Sequence, residues 1–199
     1  MLKYKKNNLF KIKKKKIGKI KIIGGKWKNR KLFITNNYIL RPSISLIKKI
    51  LFNWLNPYIQ NSKCIDCFAG SGSLGLEALS RNAKSVFFLE NNINIFKQLK
   101  KNLNLFNYYN NVIYIDVFKW LNFKKMKYFN IIFLDPPFGK NLINKIIFLL
   151  EKKKYLSNKT LIYIETEKKN IINFPNNWYI KKKKTVGNIS IYLCLYLNI

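Results

Sequence analysis

Histidine is absent from this chain, and cysteine occurs only at Cys64, Cys67 and Cys194 in 199 residues. Without histidine the common metal centres lose their usual ligand, and three thiols cannot build a disulfide frame. No metal is expected. Cys64 and Cys67 have C-x-x-C spacing, but three residues along a strand turn them to opposite faces, which separates them as a redox or metal pair. Cys194 lies in an apolar strand pattern and reads as core. No apolar run approaches the ~20 residues of a membrane span, and the lysine-rich start has no apolar signal core. The expectation is a cytoplasmic monomer with no membrane partner.

Acidic residues are also scarce: eight Asp and Glu stand against 39 Lys and Arg, a formal net charge of +31. Such a charge ordinarily points to nucleic acid. Yet only Arg30, Arg41 and Arg81 are arginine, and Asn and Ile are as conspicuous as Lys, the composition of a genome drifting toward A and T. The clusters therefore say more than the total. Residues 1–16 read as a solvated, disordered basic tail. Residues 17–40 read as a small β-hairpin extension, in which Lys19, Lys21, Lys26, Lys28, Arg30 and Lys31 are interleaved with Ile22, Ile23 and Trp27 around a tight Gly24-Gly25 turn. That mixture suits phosphates and stacked bases, and Lys26, Trp27, Arg30, Lys31 and Arg41 are the candidate RNA contacts. Lys181 to Lys184 fit equally a solvated edge that blocks sheet aggregation.

The few acids are placed unevenly. Asp66 ends the first strand, Glu90 ends Ser85-Val86-Phe87-Phe88-Leu89, Asp116 follows Val112 to Ile115, and Asp135 follows Asn130 to Leu134. Four successive strands thus finish in a carboxylate, at the edge where open α/β sheets put their ligands. The last of them opens Asp135-Pro136-Pro137-Phe138. Two prolines stop the strand, stiffen the backbone and leave their carbonyls as fixed acceptors. Acceptors beside a flat ring make a receptor for a planar group that carries an NH2. Upstream, Cys64 to Glu77 holds Gly70, Gly72 and Gly75 in G-x-G-x-x-G spacing between a short strand and a helical pattern. Glycines there serve a tight turn and a ligand that touches the backbone, and the spacing also invites a dinucleotide, its pyrophosphate on the helix amino terminus.

Periodicity lays out the rest. A helix is predicted over 43–55, with Ile44, Ile47, Leu51 and Leu55 on one stripe. Strands near 63–68, 85–90, 111–116, 129–135 and 160–165 alternate with helices near 73–81, 92–105 and 141–151, which gives a parallel sheet with helices on both faces. Runs near 177–183 and 188–197, joined around Gly187-Asn188, form an antiparallel hairpin that closes the sheet. Residues 41–199 make one domain, long enough to bury roughly 70% of its unfolded surface.

These residues carry a family resemblance. Asp66-Cys67-Phe68-Ala69-Gly70-Ser71-Gly72, then Glu90, Asp116 and Asp135-Pro136-Pro137-Phe138, resemble a class I S-adenosylmethionine-dependent methyltransferase. Ile22 to Leu32, Arg41-Pro42-Ser43, Leu51-Phe52-Asn53-Trp54-Leu55, Leu161 to Glu165 and Asn177-Trp178 narrow the resemblance, nearly end to end, to bacterial 16S rRNA guanine-N2 methyltransferases of the RsmD type. The resemblance implies a Rossmann-like α/β fold with a mostly parallel seven-stranded sheet. It implies methyl transfer from S-adenosylmethionine to a guanine N2 amine of 16S rRNA, on a small ribosomal subunit particle. Asp66, Phe68, Ala69, Gly70 and Gly72 would then hold the methionine end of the cofactor, Glu90 its ribose and Asp116 its adenine, while Asp135 to Phe138 hold the base.

Two departures stand out. After Arg41-Pro42 the family carries Thr-Thr-Asp-Arg-x-Arg-Glu where this chain has Ser43 to Lys49, and the family's second acid after Glu90 is Asn92 here. Three other classes remain open: an amino-methyltransferase acting on DNA bases or a protein glutamine, a dinucleotide-dependent oxidoreductase, and a catalytically idle rRNA-binding assembly protein.

Overall fold

A computed structural model of the chain describes residues 18–34, 42–109, 111–123, 128–153 and 155–198. The expected tail, 1–16, and Arg41 lie outside them. Strands β1 (Gly18–Lys21) and β2 (Lys31–Ile34) pair antiparallel, as expected of the amino-terminal hairpin. Then follow α1 (Pro42–Ile59), β3 (Lys63–Asp66), α2 (Ser73–Ser80), β4 (Ser85–Glu90), α3 (Ile93–Asn104) and β5 (Val112–Tyr114). The rest is α4 (Val117–Asn122), β6 (Ile131–Leu134), α5 (Ile143–Lys152), β7 (Leu161–Glu167), β8 (Trp178–Val186) and β9 (Ile189–Tyr196). Helix α4 is the element the sequence reading missed. At six residues it is too short to show a helical period, and its boundary depends on Asp116, whose carboxylate caps the amides of Phe118 and Lys119.

Seven strands form one sheet in the order β5-β4-β3-β6-β7-β9-β8. Strands β3 to β7 are parallel, and β9 runs antiparallel to both β7 and β8. The order reverses between β3 and β6, which opens a crevice at their carboxyl ends. A two-residue turn at Gly187-Asn188 makes the last hairpin, with Gly187 at φ 59.

Both faces of the sheet are covered, which explains why Ile131 to Leu134 are all buried. Ile131, Phe133 and Tyr163 face a core made by α1, α2, α3 and the hairpin. Ile132, Leu134 and Ile164 face α4 and α5. Cys64 belongs to the first core and Cys67 to the second, so their side chains lie across the sheet from one another. Burial pushes the Cys64 thiol up to about 12 and the Cys67 thiol higher still, which leaves both inert.

The hairpin is packed into the first core. Ile22 and Leu32 are fully buried, each contributing about 1.5–3 kcal/mol by apolar burial. Its turn sits on α2: Gly25, at φ +72, would drive a Cβ to 1.9 Å from the Ser80 carbonyl oxygen. The Ser80 hydroxyl donates to the Gly24 carbonyl and accepts from the Trp27 amide. Under this turn Glu77, with no exposed surface, accepts from the Ile23 amide at 2.8 Å and from Arg81 Nε at 3.0 Å.

Candidate active site

Asp66 stands at the end of β3 and is 1% exposed. Its Oδ2 accepts the Gly75 amide at 3.2 Å, and its Oδ1 is a buried oxygen without a hydrogen-bond partner among the described residues. Burial lifts this carboxyl to about 7, against the opposing pull of the Gly75 and Phe68 amides. The loop between them is held from below. Ala69 donates to the Leu89 carbonyl, Gly72 to the Ala69 carbonyl, and Gly70 to Glu90 Oε2 at 3.0 Å. A Cβ on Gly70 would meet nothing closer than 3.9 Å, so the loop presents an open backbone cradle. At Gly75 the reverse holds: a Cβ would strike Phe88 at 2.2 Å, because the helix lies flat on β4 there. Phe68 packs its half-buried ring toward the α4–α5 side.

Glu90 Oε1 also accepts the Asn92 amide at 2.7 Å. Asn92 caps α3 through the amides of Asn94 and Ile95, a task Asn performs as well as Asp. The Asp116 side chain caps α4 and takes a bond from Asn91 at 3.2 Å, which ties the ends of β4 and β5 together.

Asp135 follows β6 directly and is half-buried. Burial, then the carboxylates of Glu165 and Asp66, hold it well above the usual carboxylate range. Pro136 is buried, whereas Pro137 is exposed and Phe138 is 45% exposed. The ring, four residues past the end of β6, is thus open to a planar partner. Glu165, on β7, was not among the sequence candidates. Its signal was there: it ends the apolar run Leu161 to Ile164 just as the other acids end theirs.

The expected RNA residues divide. Lys26 and Lys31 are exposed. Trp27 packs on Phe106 at 4.6 Å between ring centroids, and the Arg30 guanidinium lies 4.1 Å from the same ring and donates to the Leu105 carbonyl. Trp27, half-buried, and Arg30, exposed, thus also help to seat the hairpin on the turn that follows α3.

The site is a row of carboxylates and an open glycine cradle in a chain that is otherwise strongly basic. Among the described residues no group of His, Cys, Asp and Glu is arranged to hold a metal, and no helix is long and apolar enough to cross a membrane. A family model described as Conserved hypothetical protein 95 matches residues 20–195. The Ribosomal RNA small subunit methyltransferase D of Buchnera aphidicola subsp. Acyrthosiphon pisum is 46% identical over 180 residues, covering 90% of this chain and 94% of that one. The chain belongs to that family. The protein of the same name from Escherichia coli K12 is 40% identical over 178 residues, covering 88% of this chain and 89% of its own. A solved structure described as a putative methyltransferase from Escherichia coli superposes with a TM-score of 0.82 at 37% identity, covering 90% of this chain and 99% of that chain. Family membership and fold agree with the resemblance read from the motifs.

Proposed function

We propose that this protein transfers a methyl group from S-adenosylmethionine to the exocyclic N2 amine of a guanine in 16S rRNA, on a particle of the small ribosomal subunit. The observation that carries the reading is Asp135-Pro136-Pro137-Phe138 at the switch point, one strand from a glycine cradle flanked by acids. The residues fit the cofactor: Asp66 keeps an unpartnered buried oxygen for a cationic or donor-bearing ligand, and Gly70 leaves room against the backbone. Asp66, Phe68, Ala69, Gly70 and Gly72 hold its methionine end, Glu90 its ribose and Asp116 its adenine. When bound, it supplies an electrophilic methyl group on a sulfonium.

The rest falls to the chain. A guanine N2 amine is a poor nucleophile, because its lone pair is delocalised into the ring. Asp135 and the Pro136 carbonyl accept its two N–H bonds, draw the nitrogen toward tetrahedral geometry and stabilise the charge that develops. Phe138 stacks on the base, which must leave its own stack to enter. Alignment of the lone pair with the methyl group supplies most of the acceleration. Lys26 and Lys31, with Arg41 outside the described residues, hold RNA phosphates, and residues 17–40 serve as the RNA-contacting extension of a methyltransferase domain at 41–199.

The test is transfer of a radiolabelled methyl group to unmodified 16S rRNA, free and in 30S-like particles, with DNA and protein acceptors as controls and an Asp135→Ala variant alongside. Label in the particle that digests to 2-methylguanine and vanishes in the variant is the expected result. Label in DNA or protein alone, or none anywhere, overturns it.

A further inference from the structure

Glu165 is a fifth carboxylate on the same sheet edge, and the roles above leave it without a task. Leu134 of β6 pairs with Ile164 of β7, so Asp135 and Glu165 are the next residues of neighbouring parallel strands, about 4.8 Å apart across the sheet. They also share a face. Phe133 and Tyr163, two residues before each, meet ring to ring at 6.4 Å within the core under α1. Asp135 precedes a proline, which keeps its backbone extended and preserves the alternation. Asp66, of the same parity on β3, completes the row, and its Oδ1 makes no hydrogen bond among the described residues. The Tyr163 hydroxyl, fully buried, donates to Glu165 Oε2 at 2.7 Å, which fixes that carboxylate and leaves Oε1 without a hydrogen bond among the described residues. Among the described residues no Lys or Arg pairs with Asp135 or Glu165. Three carboxylates gathered in a partly dry site, with only one donor each to Asp66 and Glu165 among the described residues, call for a ligand that brings more.

We propose that Glu165 reads the N1–H of the target guanine while Asp135 and the Pro136 carbonyl hold its N2 amine, so that Glu165 sets the choice of base. This inference rests on the function proposed above. The Watson–Crick edge of guanine carries N1–H beside the N2 amine, two adjacent donor positions for two adjacent carboxylates. Adenine and cytosine place a bare ring nitrogen beside their amines, an acceptor that a carboxylate repels. Tyr163 is a positioning residue for Glu165.

The probe is 2-aminopurine, which keeps the amine at position 2 and has an unprotonated N1. A 30S-like particle reconstituted with rRNA that carries guanine or 2-aminopurine at the position mapped by the methyl-transfer assay is the substrate, and kcat/KM is compared. The wild-type protein should prefer guanine by at least ~100-fold, in line with sites built to bond a substrate N–H. Glu165→Gln, whose amide can donate to a bare N1, should reduce that ratio by roughly tenfold or more. Tyr163→Phe, which keeps the carboxylate and removes its anchor, should reduce it by about threefold and serves as the deciding variant if Glu165→Gln fails to bind S-adenosylmethionine. A ratio unchanged in the deciding variant overturns the role of Glu165 alone. A wild-type protein that methylates no guanine overturns the function on which it rests.

Discussion

The Gly75 amide donates to Asp66 Oδ2 at 3.2 Å, so the third amide of α2 is already engaged by a carboxylate. In a dinucleotide site those amides receive a pyrophosphate. Here an anionic phosphate would meet Asp66 instead, with Glu90 bonded to the Gly70 amide next to it. The G-x-G-x-x-G spacing is shared with dinucleotide-binding proteins, but the charge is inverted. Calorimetric titration should give a binding isotherm with S-adenosylmethionine or its demethylated product and none with NAD. Tight NAD binding would reopen the oxidoreductase reading.

Asp135→Ala removes the one ionisable acceptor assigned to the reacting amine. Turnover on 30S-like particles should fall by at least ~100-fold, by analogy with the loss of a charge-stabilising group in other enzymes. Cofactor affinity should change little, because Asp66, Glu90 and the glycine loop are untouched. A variant that retains near-normal turnover would remove Asp135 from the chemistry.

The ligand-free protein should lose stability as pH rises. Burial lifts Asp66 from 3.8 to about 7, and Asp135 and Glu165 are raised by the same cause. A carboxyl that holds its proton more tightly when folded contributes stability that is fully present below its unfolded value, near 3.8 for Asp66, and lost as pH passes through about 7. For Asp66 the swing is on the order of a few kcal/mol. Urea midpoints of the wild type and of Asp66→Asn, taken between about pH 5 and about pH 8, isolate it from the titration of the other groups. The gap between the two proteins should widen in favour of the variant toward the higher pH, and a gap that is constant with pH would rule the assignment out.

The sheet, its order of elements and the acidic edge were legible because each apolar run ends abruptly at an acid or a proline. Those are local signals. Glu165 carried the same signal, but Thr166 and Glu167 extend β7 beyond it and blur its end. Helix α4 is too short for periodicity to register. The seat of the hairpin was not legible at all. Trp27 is as plausible stacked on a base as packed on Phe106, and Glu77 in an apolar helix pattern looks like a surface acid until residues 54 positions earlier close over it.

That buried acid supplies the last prediction. Lys48 is 3% exposed, donates to the Lys21 carbonyl at 2.7 Å and to Ser73 Oγ at 3.1 Å, and lies 3.5 Å from Glu77 Oε2. Burial lowers the Lys48 pKa, and the Glu77 carboxylate works against that loss. Removing Glu77 leaves a buried lysine, the Arg81 guanidinium and the Ile23 amide without their shared acceptor, a loss of about 3–5 kcal/mol by the behaviour of broken buried pairs. Lys48→Met is milder. It fills most of the volume and leaves Glu77 with Arg81 and the Ile23 amide, so about 1–3 kcal/mol is expected from the lost hydrogen bonds. Urea denaturation should therefore rank Glu77→Ala well below Lys48→Met in stability. Since Lys48 also holds Ser73, at the start of α2, and the β1 carbonyl of Lys21, each change should loosen the hairpin and the glycine loop together. Hydrogen exchange would show that as faster amide exchange at Ile23 and Trp27 and in the Gly70–Gly75 loop. Faster exchange at the hairpin alone would mean that the two segments are held independently, and an equal loss in both variants would mean that Glu77 is not the centre of the cluster.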